Sequence, residues 1–288
     1  MNITKAIASP SKFLVQTDLL KELGTHGNVF GKNAYLICDS FIVEQVKQKA
    51  LPSFIDNTSA QIEVFGGQCS DTEIEKHKIK ALDFDYIVGI GGGKTLDTAK
   101  ATAHYLAKPV LILPTLASTD APCTAISVIY NDDDTFNRYL FLSKNPDVVL
   151  ADTQILAEEP VRFFAAGVGD GLATYFEARA CYKAQKDNLI LGQHGSMLKP
   201  SLIGFTIAKT CYETIKLHAA QAVYAVKNKV VTPALEHTIE ATIYMSAVGA
   251  ESGGCAAAHA IHNGMTVVDD LHGAQHGEKV LFGLFTQL

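Results

Sequence analysis

The chain has 288 residues, 48% apolar and 19% charged, enough for buried cores and about twice the ~150 residues of one typical domain. Its net charge of −6 offers no basic stripe to neutralise phosphates, which excludes nucleic acid as a partner. There is no run of ~18 apolar residues, and MNITKAIASP lacks the apolar core of a secretory leader, so neither a membrane span nor a signal peptide is expected.

In chain order, short β-rich runs alternate with helical periods through the first half. Strands are predicted at Ala34–Cys38, Ile62–Phe65, Tyr86–Ile90 and Val110–Leu113, with helices near Phe41–Lys49, Thr72–Lys80 and Thr95–Leu106 between them. Such alternation implies a parallel sheet covered by helices. β-rich runs follow at Thr124–Tyr130, Tyr139–Leu142 and Val148–Leu150, and Asn131-Asp132-Asp133-Asp134 reads as the tight polar turn of a hairpin. From about Glu159 strand signals stop and helical periods take over, at Gly171–Cys181, Leu202–Leu217, Ala234–Ala250 and Ala256–Val267. The expectation is an α/β domain over residues 1–155 and an all-α domain over 156–288. The six cysteines (Cys38, Cys69, Cys123, Cys181, Cys211, Cys255) form no CxxC pair and read as reduced, mostly buried thiols of a cytoplasmic protein.

The strand Tyr86–Ile90 runs into Gly91-Gly92-Gly93-Lys94-Thr95 and then a helix. Unpaired N–H groups at a helix start favour an anion, and glycines let a phosphate approach. Neither familiar nucleotide pattern fits. Walker A would need glycine at Val88, and the dinucleotide pattern counted from Gly89 would need it at Lys94. Two readings stand: a phosphate cradle, or a tight turn that packs a helix on a sheet. Asp39 also has two readings. It is a carboxylate at the ligand-binding end of a strand, able to hold ribose hydroxyls and repel an extra phosphate, or it caps the helix near Phe41.

Four of the ten histidines, His259, His262, His272 and His276, cluster near the end of the chain. His259 and His262 share a helix face at i,i+3, and His276 opens another helix after a turn-like segment. Imidazoles brought together in this way suit zinc or iron. Asp170, in Ala166-Gly167-Val168-Gly169-Asp170-Gly171-Leu172, is the candidate third ligand; the alternative is an ordinary N-cap aspartate. His262 and His272 read as neighbours of the ligands or as solvent-facing residues.

Taken together these segments resemble the glycerol dehydrogenases, within the wider superfamily of metal-dependent alcohol dehydrogenases that also holds the iron-containing alcohol dehydrogenases and dehydroquinate synthase. The resemblance is carried by GGGKTLDTAKA (91–101), PTLASTDAPCTAISVIY (114–130), NPDVVLADT (145–153), GVGDGLATYFEARAC (167–181), VVTPALE (230–236), ESGGCAAAHAIHNG (251–264) and HGEKVLFG (276–283). It implies a Rossmann-like, NAD-binding α/β domain followed by an all-α metal-binding domain, the dehydroquinate-synthase-like arrangement, with the site in a cleft between them. By the same resemblance Asp39 meets the adenosine ribose, and Gly93 and Lys94 hold the pyrophosphate with Thr115 and Ser118 nearby. Thr124, Ile126 and Tyr130 then line the nicotinamide side.

The resemblance further implies that Asp170, His259 and His276 bind one divalent metal, zinc with iron as the alternative. Asp120 would touch the substrate; no side chain is assigned as the proton acceptor, and a water relay near Asp120 or His262 is the route considered. The implied reaction is NAD-dependent oxidation of glycerol and related vicinal diols to dihydroxyacetone by metal-assisted hydride transfer, in a cytoplasmic homo-oligomer that is octameric in the family. Two departures stand out: Thr124 where serine is common, and Gly171 where alanine is usual, which is expected to loosen a helix start. Family members continue for several helices after the HGEK segment, whereas this sequence ends at Leu288, so an incomplete helical domain with exposed apolar surface is expected. The alternatives to glycerol oxidation are a truncated remnant that folds and binds NAD without turnover, and another alcohol dehydrogenase of the superfamily.

Overall fold

The computed structural model describes residues 4–55, 58–192, 195–271 and 273–288; the histidine at 272 lies outside them. The chain divides into two compact units. One comprises Pro10–Leu116 and Ala125–Leu156; the other comprises Met1–Ser9, Ala117–Thr124 and Ala157–Leu288.

The first unit carries the strands β1 (Lys12–Gln16), β2 (Asn33–Cys38), β3 (Ser59–Val64), β4 (Tyr86–Gly91), β5 (Val110–Pro114), β6 (Ile126–Tyr130), β7 (Phe136–Phe141) and β8 (Val148–Asp152). Six of them form one parallel sheet in the order β1-β8-β5-β4-β2-β3. Every residue of β4, β5 and β8 is buried, which is why these strands read as unbroken apolar runs and not as alternating ones. Leu36, Val88, Leu111 and Leu150 meet Leu19, Leu20 and Leu23 in the core on one face. The edge strand β1 pairs residue for residue with β8, but its short, polar-ended KFLVQ run does not announce it in the sequence. The expected helix near Phe41–Lys49 is a broken series of 3₁₀, α and π turns ending at Leu51–Ser53, where Pro52 removes a backbone donor.

Two longer helices of this unit are α1 (Asp71–Lys80), N-capped by Ser70, and α2 (Gly93–Leu106), which starts directly after β4. β6 and β7 form an antiparallel hairpin whose turn is the expected Asn131–Asp134 segment, closed by Asn131 N–H donating to the Thr135 carbonyl. The chain leaves β2 toward β3 on one side and β4 toward β5 on the other. In open α/β sheets ligands bind beyond the strand ends at such a divergence. Asp39 follows β2 and the glycine run follows β4, so both lie at this point.

The second unit is built on α3 (Val161–Ala184), α4 (Leu202–Lys227), α5 (Ser246–Gly253), α6 (Ala257–Met265) and α7 (His276–Gln287). Ser201 caps α4 and Gln275 opens α7 with a capping box to Glu278. Lys5–Ala6 pairs in parallel with Lys199–Pro200, and Ala8 N–H donates to Ser252 Oγ. An α/β unit and a helical unit are the fold class expected. All six cysteines are free and only Cys255 is not fully buried. Phe282, Phe285 and Leu288 are exposed on α7 and at its end. Among the described residues no helix is long and apolar enough to cross a membrane.

Candidate functional site

Asp170, His259 and His276 come together in the helical unit, each offering a ligand atom within 4.8 Å of the others. His259 Nε2 lies 3.6 Å and His276 Nε2 3.4 Å from Asp170 Oδ1. The Asp170 side chain is 3% exposed, and neither of its carboxylate oxygens has a hydrogen-bond partner among the described residues. The cap reading of Asp170 fails, because α3 begins at Val161 and Asp170 sits well inside it. His276 does open a helix, as expected.

The geometry fixes where the imidazole protons are. His259 Nδ1 lies 2.6 Å from Glu177 Oε2, so it donates there and turns its Nε2 lone pair toward Asp170. His262 Nδ1 donates to Asn263 Oδ1 at 3.1 Å, so its Nε2 accepts His276 Nδ1–H at 3.1 Å, and His276 Nε2 is likewise turned to Asp170. With both imidazoles neutral, three electron-pair donors face one another with no proton between them. That arrangement costs free energy unless a cation sits among them, so the residues fit a divalent metal.

These groups also shift one another's titration. Burial works to raise the Asp170 carboxyl, but His276 and His259 hold it below the usual carboxylate range. Burial opposes charge on His259, yet Cys255 and Glu177 raise its basicity well above the ordinary value. Burial, with His276 and His259 next, pushes His262 down to about 3, which keeps it neutral and able to accept. A second cluster, Glu177, Cys255 and His259, shares His259. There Glu177 Oε1 already accepts the N–H groups of Ala256 and His259. Glu177 thus holds the start of α6 as well as its histidine.

Glycines make the cluster possible. A Cβ on Gly277 would lie 1.8 Å from the Ala166 carbonyl, so only glycine lets α7 bring His276 against α3. Gly171, expected to loosen a helix start, sits mid-helix where a Cβ would meet Ile215 Cδ1 at 2.6 Å; it serves close packing on α4. Gly167 gives the same clearance to the Ala117 carbonyl, 1.8 Å from its would-be Cβ. Ala117 N–H donates to the buried Glu159 carboxyl at 3.1 and 3.2 Å. The segment Ala117–Thr124, which carries Ser118, Asp120 and Thr124, is thereby held on α3 one turn before Asp170. Asp120 is half-buried, and its charge bears on Cys211 and Cys255, as that of Asp170 does on Cys211.

In the α/β unit Asp39 meets the glycine run. Its Oδ2 accepts Gly92 N–H at 2.7 Å and its Oδ1 accepts the Thr95 hydroxyl at 2.5 Å. It makes no side-chain cap to the helical turn that follows it, so the cap reading fails here too. Gly91 permits the approach, since a Cβ there would stand 2.3 Å from Asp39 Oδ2. Gly93 begins α2, and the Lys94 ammonium lies 5.0 Å over the Tyr130 ring and 3.5 Å from Asp134. The Thr115 hydroxyl is buried with no hydrogen-bond partner among the described residues. Ile126 and Tyr130 are half-exposed on β6. These groups fit a dinucleotide: a carboxylate for ribose hydroxyls, open helix-start amides and a cation for phosphate, and an unpaired hydroxyl.

Sequence reasoning overlooks Glu177, Asn263, Glu159 and Thr95. Glu177 alone leaves a legible trace, lying two helical turns after Asp170 on the same face.

The sequence profile of the iron-containing alcohol dehydrogenases matches residues 10–153. A glycerol dehydrogenase of Thermotoga maritima is 46% identical over 280 residues, covering 97% of this chain and 75% of that protein. A glycerol dehydrogenase of Escherichia coli is 45% identical over 287 residues, covering 99% and 77%. The crystal structure of glycerol dehydrogenase from Schizosaccharomyces pombe superposes with a TM-score of 0.92 at 34% identity, covering 99% of this chain and 72% of that one.

Proposed function

The chain belongs to the iron-containing alcohol dehydrogenase family, and from that premise we propose that it oxidises glycerol and related vicinal diols, with NAD as hydride acceptor and dihydroxyacetone as the product from glycerol. The observation that carries the reading is the convergence of Asp170, His259 and His276, with two buried carboxylate oxygens facing two imidazole lone pairs. Zinc or iron(II) held by these residues would supply Lewis acidity, which would ease loss of the substrate hydroxyl proton. Glu177 and His262 keep the two imidazoles in the required tautomer and orientation. Asp120 is assigned the hydroxyl proton: it is half-buried and its charge is felt beside Asp170 and His259, whereas His262 spends its Nε2 on His276 and is a weak base. Asp39 binds the ribose hydroxyls, and its charge disfavours an added 2′-phosphate, hence NAD over NADP. Gly93, Lys94, Thr115 and Ser118 attend the pyrophosphate, and Thr124, Ile126 and Tyr130 the nicotinamide. The reading extends to a cytoplasmic homo-oligomer, which light scattering on purified protein tests.

Metal content and NADH formation with glycerol or 1,2-propanediol test the proposal. Wild type is expected to carry about one metal per chain, and Asp170→Asn and His276→Ala to lose most of it together with turnover. Undiminished metal in both variants overturns the ligand assignment. Metal-replete wild type that forms no NADH from either diol overturns the substrate reading.

A further inference from the structure

β6 and β7 form a two-stranded sheet of their own, separate from the six-stranded one. A lone hairpin is marginal in water and needs a support. Helix α2, which begins at the glycine run, supplies it through three side chains one turn apart. Lys94 reaches over the Tyr130 ring, its ammonium 5.0 Å from the centroid. Asp97 Oδ2 accepts Val128 N–H at 2.9 Å. Lys100 Nζ donates to the Ile126 carbonyl at 2.6 Å and lies 2.9 Å from Asp97 Oδ1. Ser127 Oγ adds a bond to the Asp97 carbonyl at 3.0 Å. Helix positions 94, 97 and 100 therefore meet strand positions 130, 128 and 126 in turn.

The Lys100 side chain is 0% exposed and that of Asp97 7%. Burying such a pair is costly, and apolar residues hold an element in place equally well. Ala101, Ile129, Ile74 and Cys69 already form an apolar contact under this hairpin. What the ion pair adds is direction. Its bonds go to the backbone of residues 126 and 128, so they set the register of β6 and with it the orientation of alternate side chains. Ile126, Val128 and Tyr130 share the half-exposed face, while Ser127 and Ile129 are buried.

We propose that the buried Asp97–Lys100 pair is a positioning device for the nicotinamide half of the bound dinucleotide, fixing β6 on the helix that starts at the phosphate loop so that Ile126, Val128 and Tyr130 stand at a set distance from it. The inference rests on the dinucleotide reading above and assigns Asp97, Lys100, Ser127 and Val128 parts that reading does not. The adenosine half, held by Asp39 and the glycine run, does not depend on β6.

Two ligands separate the halves: NADH, and ADP-ribose, which lacks the nicotinamide. Binding is measured on the metal-loaded full chain, by NADH fluorescence and by calorimetry. Lys100→Met is expected to weaken NADH about tenfold or more and ADP-ribose by less than about twofold. Ser127→Ala, which removes a single neutral bond, is expected to weaken NADH about threefold with the same selectivity. Lys100→Met binding both ligands as wild type does, or losing both equally, overturns the proposal. If Lys100→Met fails to fold, Ser127→Ala decides alone: no loss, or equal loss for both ligands, overturns it. A wild-type chain that binds ADP-ribose but not NADH overturns the proposal, and one that binds neither overturns the dinucleotide reading itself.

Discussion

Glu159 is a carboxylic acid sealed among the residues that hold the 117–124 segment, and burial pushes it up to about 8, with the Ala117 N–H only partly opposing. The folded pKa lies above the unfolded value, so the native state binds more protons between about pH 4.5 and 8, and stability must fall as pH rises through that window. A shift of this size corresponds to roughly 3–5 kcal/mol. Glu159→Gln keeps an acceptor for Ala117 but cannot ionise. Thermal melts should show it matching wild type near pH 5 and exceeding it at pH 9; parallel curves would refute the assignment. Glu177→Gln should weaken metal affinity about 10–100-fold, measured by competition with a chelator, because it leaves His259 less firmly oriented. At this scale the sequence was only partly readable. Asp170 and His276 stand in recognisable segments, but a short stretch of sequence cannot distinguish a helix-start aspartate from a mid-helix one. Glu177 and Glu159 are ordinary glutamates until the fold brings His259, 82 residues from the first, and Ala117, 42 residues from the second, into contact.

Elements were legible where periodicity was strong. The strands β2, β4 and β5 and the helix after the glycine run follow from apolar runs and turn residues, whereas β1 does not, since its place comes from pairing with β8. Helix α3 was readable only in its second half. Gly167, Gly169 and Gly171 disguise its first turns, each costing about 1 kcal/mol of helix propensity. Those glycines are there for neighbours that local sequence does not reveal. Gly277→Ala should therefore do more than stiffen α7. Its methyl would meet the Ala166 carbonyl, costing about 1–3 kcal/mol and shifting His276 from Asp170. The expected result is a folded protein with a lower melting temperature and weakened metal binding; an unchanged metal affinity would contradict the packing argument.

For the whole molecule, the change from strand periods to helical ones is plain in the sequence, but that residues 4–9 and Ala117–Thr124 pack with the helices leaves no periodic trace. Metal should act at this scale. A ligand bound only by the folded state at a hundred times its Kd adds about 2.7 kcal/mol. Chelation should lower the melting temperature and excess zinc or iron should restore it; Asp170→Asn should show neither response. The pairing of Lys5–Ala6 with Lys199–Pro200, and of Ala8 with Ser252, bears on how the protein is made. Lys5, Ala6 and Ala8 are synthesised roughly two hundred residues before their partners, so these contacts cannot close until that stretch has been made. At about 5–20 residues per second that is a delay on the order of tens of seconds, during which the segment carrying Lys5, Ala6 and Ala8 stays open to chaperones and proteases.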